Sequence, residues 1–141
     1  MNFKDVLDDT LNEEKTFNEY NFDEYIFYLK SGLDGQIPHI HYKNKNGNFG
    51  CFALEYCGYF NHSEGMKMMP SKSERKLIHL LSATNFWKEA CLTWFGNNPN
   101  NPVRVLKDDK NNAINPYVGK STMEFLEKPP ARISENYIEI K

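Results

Sequence analysis

The sequence predicts one α+β domain in which a small antiparallel meander of three to five strands packs on one long or broken amphipathic helix. Two observations predict this fold class: β-rich runs alternate with turn residues from Phe22 to Phe60, and a regular apolar stripe follows from Leu77 to Phe95. The length of 141 residues, 40% of them hydrophobic, suits a single core. We therefore expect one domain over residues 1–141, with a core at about 22–97 and a C-terminal extension at about 98–141.

The strand predictions rest on short runs rich in aromatic and β-branched residues, each bounded by turn residues. In order, these runs are Tyr25–Leu29, Ile37–Lys43, Asn48–Tyr56 and the short Gly58–Phe60. Asn46 and Gly47 stand between the second and third runs, and an Asn-Gly pair in this position is a strong hairpin signal. Together the runs predict a meander of neighbouring antiparallel strands.

Two stretches have helical periodicity. The acidic N-terminus repeats apolar residues at three- and four-residue intervals between Phe3 and Leu11, which predicts a short amphipathic helix. Ser71 and Glu74 fit a capping box just after Pro70 and predict the start of the main helix, which ends near Gly96. Residues Ala83 to Asn85 are expected to divide that helix into two.

The C-terminal extension is irregular. Pro102–Leu106 and Tyr137–Ile140 are predicted strands, and Ser121–Glu127 is predicted to form a helical turn that Lys128-Pro129-Pro130 ends. Such a tail either wraps its own domain or reaches a neighbouring subunit in a homo-oligomer, and the sequence leaves both arrangements open.

Bulk properties exclude several classes of partner. A formal charge of −2 and a pI near 6.1 give no basic footprint for duplex nucleic acid. No apolar run approaches the roughly 20 residues that span a bilayer, and the N-terminus lacks the apolar stretch of a signal peptide. The three cysteines have no disulfide-framework spacing. We therefore expect a cytoplasmic protein with reduced thiols and no membrane partner.

The most distinctive segment is Ile37–Tyr42, because it carries two histidines that folding does not explain. Side chains two apart on a strand share a face, so His39 and His41 should project together with about 6–7 Å between their Cα atoms. Pro38 is best placed at the start of a strand or on an edge, which would put this site at the rim of the sheet.

His62 lies where the chain leaves the third and fourth runs, and it could join His39 and His41 as a third nitrogen ligand. Three histidines leave a fourth position open on a divalent metal such as zinc or manganese. Glu64 or Glu55 would then act as a further ligand or as the general base. Against a metal, His-x-His is a short pattern without the fixed geometry of HExxH or CxxC. An anion-binding histidine pair and plain structural histidines are the alternatives.

The segment Pro38-His39-Ile40-His41 resembles the Pro-His-x-His strand of the DUF4160-type family of small bacterial proteins. The order of strand, His-bearing strand, strand and long helix is similar too, over Phe22 to about Phe95. This chain differs in its longer loop near residues 61–70, its acidic N-terminal extension and its C-terminal tail. The resemblance implies no established activity, but it implies a place among mobile-element or toxin–antitoxin-like modules.

Three hypotheses follow. The preferred one is a non-enzymatic binding module, such as a phage or mobile-element accessory protein, that engages a protein or small ligand through His39, His41 and Tyr42 at the sheet edge. The second is a metal-dependent hydrolase of the phosphoesterase or nuclease kind, with a three-His site and Glu64 as base. The third is a nucleic-acid-directed toxin in which His39 and His41 serve as acid and base without metal. A local basic patch would support the third, formed by Lys43, Lys45, Lys67, Lys72, Arg75 and Lys76.

Overall fold

The computed structural model describes residues 18–141, so the helix predicted between Phe3 and Leu11 lies outside the described residues. The described part of the chain forms strands and helices in an α+β order. They are β1 (Asn18–Phe22), β2 (Tyr25–Leu29), β3 (His39–Asn44), β4 (Phe49–Ala53), β5 (Gly58–Phe60), α1 (Ser71–Ala83), α2 (Phe86–Asn97), β6 (Val103–Leu106), β7 (Glu124–Leu126) and β8 (Tyr137–Ile140).

The main sheet has six strands in the order β1-β2-β3-β4-β5-β7, and β6 pairs with β8 in a separate two-stranded sheet. Strands β2 to β5 form the predicted antiparallel meander, β1 extends it by pairing antiparallel with β2, and β7 joins parallel to β5. The helical turn predicted over Ser121–Glu127 is therefore wrong. The backbone N–H of Glu124 donates to the carbonyl of Cys57 at 3.4 Å, and that of Asn61 donates to Leu126 at 2.9 Å. These long-range bonds hold the segment extended.

Strand β3 lies inside the sheet, with β2 on one side and β4 on the other. The placement of the histidines at the rim of the sheet is thus wrong. Pro38 stands just before the strand, so its missing N–H removes no ladder bond, while its carbonyl accepts from Leu54 N at 3.0 Å. The hairpin after β3 is confirmed: Asn44 Oδ1 accepts from two turn N–H groups at 3.0 Å, and Gly47 has φ +83°.

Helix α1 begins at the predicted Ser71, but no capping box forms. Pro70 occupies the N-cap, and Glu74 turns inward, where its carboxylate accepts from Tyr59 Oη at 2.7 Å and from Met123 N at 3.3 Å. The predicted division of the helix is confirmed. Thr84 makes the break, because its hydroxyl donates to the carbonyl of Leu80 and accepts from Phe86 N. Neither helix among residues 18–141 is long and apolar enough to cross a membrane.

The core lies between the main sheet and the two helices. Its largest fully buried side chains come from β2 to β5, from helix α2 and from the tail. They include Phe27, Tyr42, Phe52, Tyr59, Phe86, Trp94 and Tyr117. Burying one side chain of this kind contributes about 1.5–3 kcal/mol. Val103, Val105 and Ile140 of the tail join the same cluster, so the core extends past the predicted limit near residue 97.

An ion pair between a buried carboxylate and a partly exposed guanidinium fastens the tail to its own domain. Arg132 Nε donates to Glu55 Oε1 at 2.9 Å, and its Nη2 donates to Glu55 Oε2. The same guanidinium donates to Asn101 Oδ1 at 2.6 Å and to the carbonyl of Pro102 at 2.9 Å. Glu55 also accepts from Arg104 N at 2.7 Å. Of the two arrangements expected for the tail, the structure shows the one in which it wraps its own domain.

Candidate metal centre

Three histidines converge on the sheet. His39 and His41 project from one face of β3, and His62 lies in the loop two residues after β5 ends. Because β4 alone separates β3 from β5, this loop reaches the β3 histidines. One ring nitrogen from each of the three lies within 4.8 Å of the others. The structure therefore brings together the three residues that the sequence singled out as ligands.

The spacing of the ring nitrogens suits a metal ion. Zinc–nitrogen bonds of 2.0–2.1 Å in a tetrahedron place neighbouring ligand nitrogens about 3.3 Å apart. The Nε2 atoms of His39 and His41 are 2.9 Å apart, and the third nitrogen lies no more than 4.8 Å from either. The tetrahedral separation falls between the measured 2.9 Å and the 4.8 Å upper limit, so the spacing is compatible with one shared ion after local adjustment. The 2.9 Å distance equally suits a hydrogen bond between His39 and His41.

Neighbouring groups fix the orientation of the β3 rings. His39 Nδ1 lies 2.7 Å from the carbonyl of Ile37, and because a carbonyl only accepts, Nδ1 carries the proton. Nε2 of His39 is therefore unprotonated, and its lone pair is directed at the histidine cluster. Hydrogen bonds to the outer ring nitrogen orient histidine ligands in metal sites in the same way. His41 stacks on Tyr28 with ring centroids 5.2 Å apart and planes at 17°.

Burial keeps the rings neutral. His39 is fully buried, His41 is 6% exposed and His62 is exposed. Burial lowers the pKa of His39 to about 4, and burial together with the charge of His39 lowers the pKa of His41 further. Partial burial also lowers the pKa of His62. At neutral pH the imidazoles are therefore in the uncharged form that binds metals.

Three other residues predicted for the site lie elsewhere or outside the cluster. Tyr42 points to the opposite face of β3, where it is buried in the core and its hydroxyl donates to the carbonyl of Lys67. Glu64 is exposed in the loop after β5, and it is not among the described side chains whose ligand atoms converge. Glu55 is committed to the Arg132 ion pair. None of these three residues therefore adds a ligand atom to the histidine cluster, and the role of Glu64 as a general base stays a prediction.

Cysteine is a common metal ligand, and Cys51 lies opposite His41 in the β3–β4 register. Its Sγ instead donates to the carbonyl of Phe60 at 3.3 Å. Burial raises the pKa of this thiol to about 12. Cys51 is therefore a protonated, packed thiol at neutral pH, and the donor set at the centre is nitrogen only.

A cavity of about 410 Å³ lies beside the centre. Ile37, Phe60 and His62 form the wall that it shares with the histidine cluster. The other walls come from the loop after β2 and from the tail, through Asp34, Gly35, Gln36, Pro129, Pro130 and Arg132. No local pattern predicted these outer walls, because they come from segments far apart in the chain. Tyr28, which the register places opposite His41, was missed for the same reason.

Comparison of the chain with protein-family models, with curated proteins and with solved structures found no match. The resemblance of Pro38, His39 and His41 to the DUF4160-type strand stays a prediction.

Proposed function

We propose that this chain binds a single transition-metal ion through one ring nitrogen each of His39, His41 and His62. The observation that carries the proposal is the convergence of three ring nitrogens within 4.8 Å, two of them from buried residues. Imidazole donors without carboxylates favour zinc over manganese, so zinc is the expected ion.

The third ring distinguishes a metal centre from a structural histidine pair. His39 and His41 satisfy each other through their Nε2 atoms, and the carbonyl of Ile37 takes the remaining proton of His39. His62 adds nothing to that pair of hydrogen bonds, yet its ring centroid lies 5.0 Å from that of His39 and 5.1 Å from that of His41. A ligand set explains all three positions at once.

The binding role expected from the sequence is retained, but the binding site lies at a different place on the sheet. The site lies on a face of the interior strand β3, and Tyr42 has no part in it. The ligand becomes a metal ion in place of an unspecified protein or small molecule.

Metal titration of untagged protein tests the proposal. We expect one Zn²⁺ or Co²⁺ per chain, with cobalt giving the visible absorption of a tetrahedral site. His39→Gln, His41→Gln and His62→Gln should each weaken zinc binding by at least about tenfold, since even the loss of an outer-shell partner costs that much. His79→Gln is the matched control, because His79 is exposed on α1. Absence of saturable binding at micromolar zinc, or equal affinity in all four variants, would contradict the proposal.

Metal-dependent hydrolysis is a second candidate function. Three protein ligands leave the fourth tetrahedral position for water, and a bound zinc ion lowers the pKa of that water to near 7. His62 also lines the adjoining cavity, which is the side from which a substrate would approach a metal held by this ring. The test is hydrolysis of a chromogenic phosphate ester by zinc-loaded protein and by His39→Gln. Lack of turnover by the loaded wild-type protein would exclude this candidate while leaving the metal proposal intact.

A further inference from the structure

We propose that the cavity beside the histidine cluster binds a small organic cation, an alkylammonium ion whose charged group pairs with the carboxylate of Asp34. This ligand is separate from the proposed metal ion, and its site is present in the metal-free chain. Three features carry the proposal: the size of the cavity and its apolar wall, the anchored loop that holds Asp34, and the charge of the lining residues.

The cavity has the size of a small-molecule site. Its volume is about 410 Å³, and ligand pockets in proteins commonly enclose about 300–1,000 Å³. Ile37, Phe60 and Pro129 give it an apolar wall. A short hydrocarbon chain that lies against this wall leaves water, so apolar contact favours a ligand with an alkyl part.

Buried side chains hold the wall that carries Asp34. Asp34 lies in the loop after β2, and Asn98 and Asn101, which are 1% and 2% exposed, bond to the backbone of this loop. Asn98 Oδ1 accepts from Leu33 N at 2.7 Å. Asn101 Nδ2 donates to the carbonyls of Leu33 and Gln36 at 3.2 and 2.6 Å. Asp34 is thus anchored on both sides in the chain, which lowers the cost of ordering it around a ligand.

The uncompensated charge of the cavity belongs to Asp34. The ionisable side chains among the lining residues are Asp34, His62 and Arg132. The guanidinium of Arg132 is neutralised by the carboxylate of Glu55. An imidazole is uncharged at pH 8, well above its ordinary pKa of about 6.5. Among residues 18–141, no ion pair or hydrogen bond occupies the side chain of Asp34. The cavity therefore carries one free negative charge, which complements a cation.

A primary ammonium group on a short alkyl chain matches both parts of the cavity. The ammonium group is a donor for the carboxylate of Asp34 and for the amide oxygen of Gln36, which also lines the cavity. The alkyl chain matches the apolar wall. A carboxylate with an alkyl chain of similar length has the same apolar part and the opposite charge, so pentylammonium and pentanoate form a matched pair of probes.

The test is NMR titration of metal-free protein at pH 8 with pentylammonium chloride and with sodium pentanoate, at constant ionic strength. The amine is protonated at this pH, because aliphatic amines of the lysine type have a pKa of about 10.4. We expect saturable binding of pentylammonium in about the millimolar range, as for other small ligands. The largest shifts should be those of the amide signals of Gly35, Gln36 and Ile37, which line the cavity. Pentanoate should bind more weakly.

Reversal of one charge supplies the decisive variant. Asp34→Lys should exchange the preference, so that pentanoate binds more tightly than pentylammonium, and the ratio of the two dissociation constants should change by about tenfold or more. Asp34→Asn should weaken pentylammonium binding by about two- to fivefold, the range expected for an exposed ion pair. Asp109→Lys is the matched control, because Asp109 is an exposed aspartate that does not line the cavity, and it should retain the wild-type preference.

Equal binding of the two probes by wild type, or shifts confined to residues that do not line the cavity, would overturn the proposal. An unchanged preference in folded Asp34→Lys, or the same exchange of preference in Asp109→Lys, would overturn it as well. If Asp34→Lys does not fold, the isosteric Asp34→Asn decides, and an unchanged pentylammonium affinity would then be the contrary result. The zinc titration is independent of these measurements: zinc binding without pentylammonium binding would leave the metal proposal alone, and the reverse result would leave the cation site alone.

Discussion

Replacement of Arg132 by leucine is expected to destabilise the fold by about 3–5 kcal/mol, because it leaves the buried carboxylate of Glu55 without its counterion. Glu55 is 8% exposed, and its other described partner is the backbone N–H of Arg104. The guanidinium also satisfies Asn101 Oδ1 and the carbonyl of Pro102. The cost of about 3–5 kcal/mol for breaking such a pair covers the loss of these additional hydrogen bonds, so no further cost is expected from them.

A double substitution tests whether the effect belongs to the ion pair. Glu55→Leu combined with Arg132→Leu removes both charges and should recover at least about 2 kcal/mol relative to Arg132→Leu alone, since an apolar replacement of a buried pair is often near neutral. The exposed pair between Lys141 and Glu139, at 3.2 Å, supplies the control. Lys141→Met should cost less than about 1 kcal/mol.

Urea unfolding followed by tryptophan fluorescence measures these differences, because Trp87 and Trp94 are both buried in the core. The free energies of unfolding of the three variants and of wild type are compared at one pH near 7. A loss below about 1 kcal/mol in Arg132→Leu, comparable with that in Lys141→Met, would refute the view that this ion pair fastens the tail.

Three further predictions concern the metal site and the core. Zinc affinity should fall by much less than about seventyfold from pH 8 to pH 6, because burial lowers the pKa of all three histidines, that of His39 to about 4. Three unperturbed histidines would lose about seventyfold at pH 6, and a loss of that size in a pH series of cobalt titrations would show that the rings are not shielded. Gly50→Ala should destabilise the fold by about 1–3 kcal/mol, because a Cβ at this position would lie 2.5 Å from Tyr42 Oη. Thermal unfolding measures the loss, and an unchanged melting temperature would contradict that close contact. Glu74→Leu should lower the free energy of unfolding by about 2–4 kcal/mol in urea titration, because it leaves Tyr59 Oη without its acceptor. Glu74→Gln keeps an acceptor and should cost less. Equal losses in the two variants would show that the acceptor is unimportant.

The parts of the fold that the sequence predicted depend on residues close together in the chain. Strands β2 and β5, the Asn46-Gly47 hairpin and the helix break at Thr84 each follow from a local pattern. The pairing of His39 and His41 on one face follows from strand periodicity in the same way. That periodicity also places Tyr42 on the opposite face, so its assignment to the site conflicted with the rule that grouped the two histidines.

The parts that were missed depend on distant partners. Strand β7 exists because it pairs with β5, and its three residues carry no strand signal of their own. The predicted capping box does not form, because the Glu74 carboxylate accepts a hydrogen bond from Tyr59 Oη in place of one from the backbone of Ser71. Strand β1 was missed because its sequence, Asn-Glu-Tyr-Asn-Phe, is mostly polar. The position of β3 inside the sheet could not be read from Pro38, since a proline before a strand is tolerated wherever the strand lies.

Strand β7 forms one edge of the main sheet. An edge strand presents unpaired N–H and C=O groups that template further strands. Here the edge lasts only from Glu124 to Leu126, and it is followed by the charged Glu127 and Lys128 and by two prolines without N–H groups. A second copy approaching this side would find few donors in register. The tail that builds one wall of the cavity thus also protects this side of the sheet against strand-to-strand aggregation.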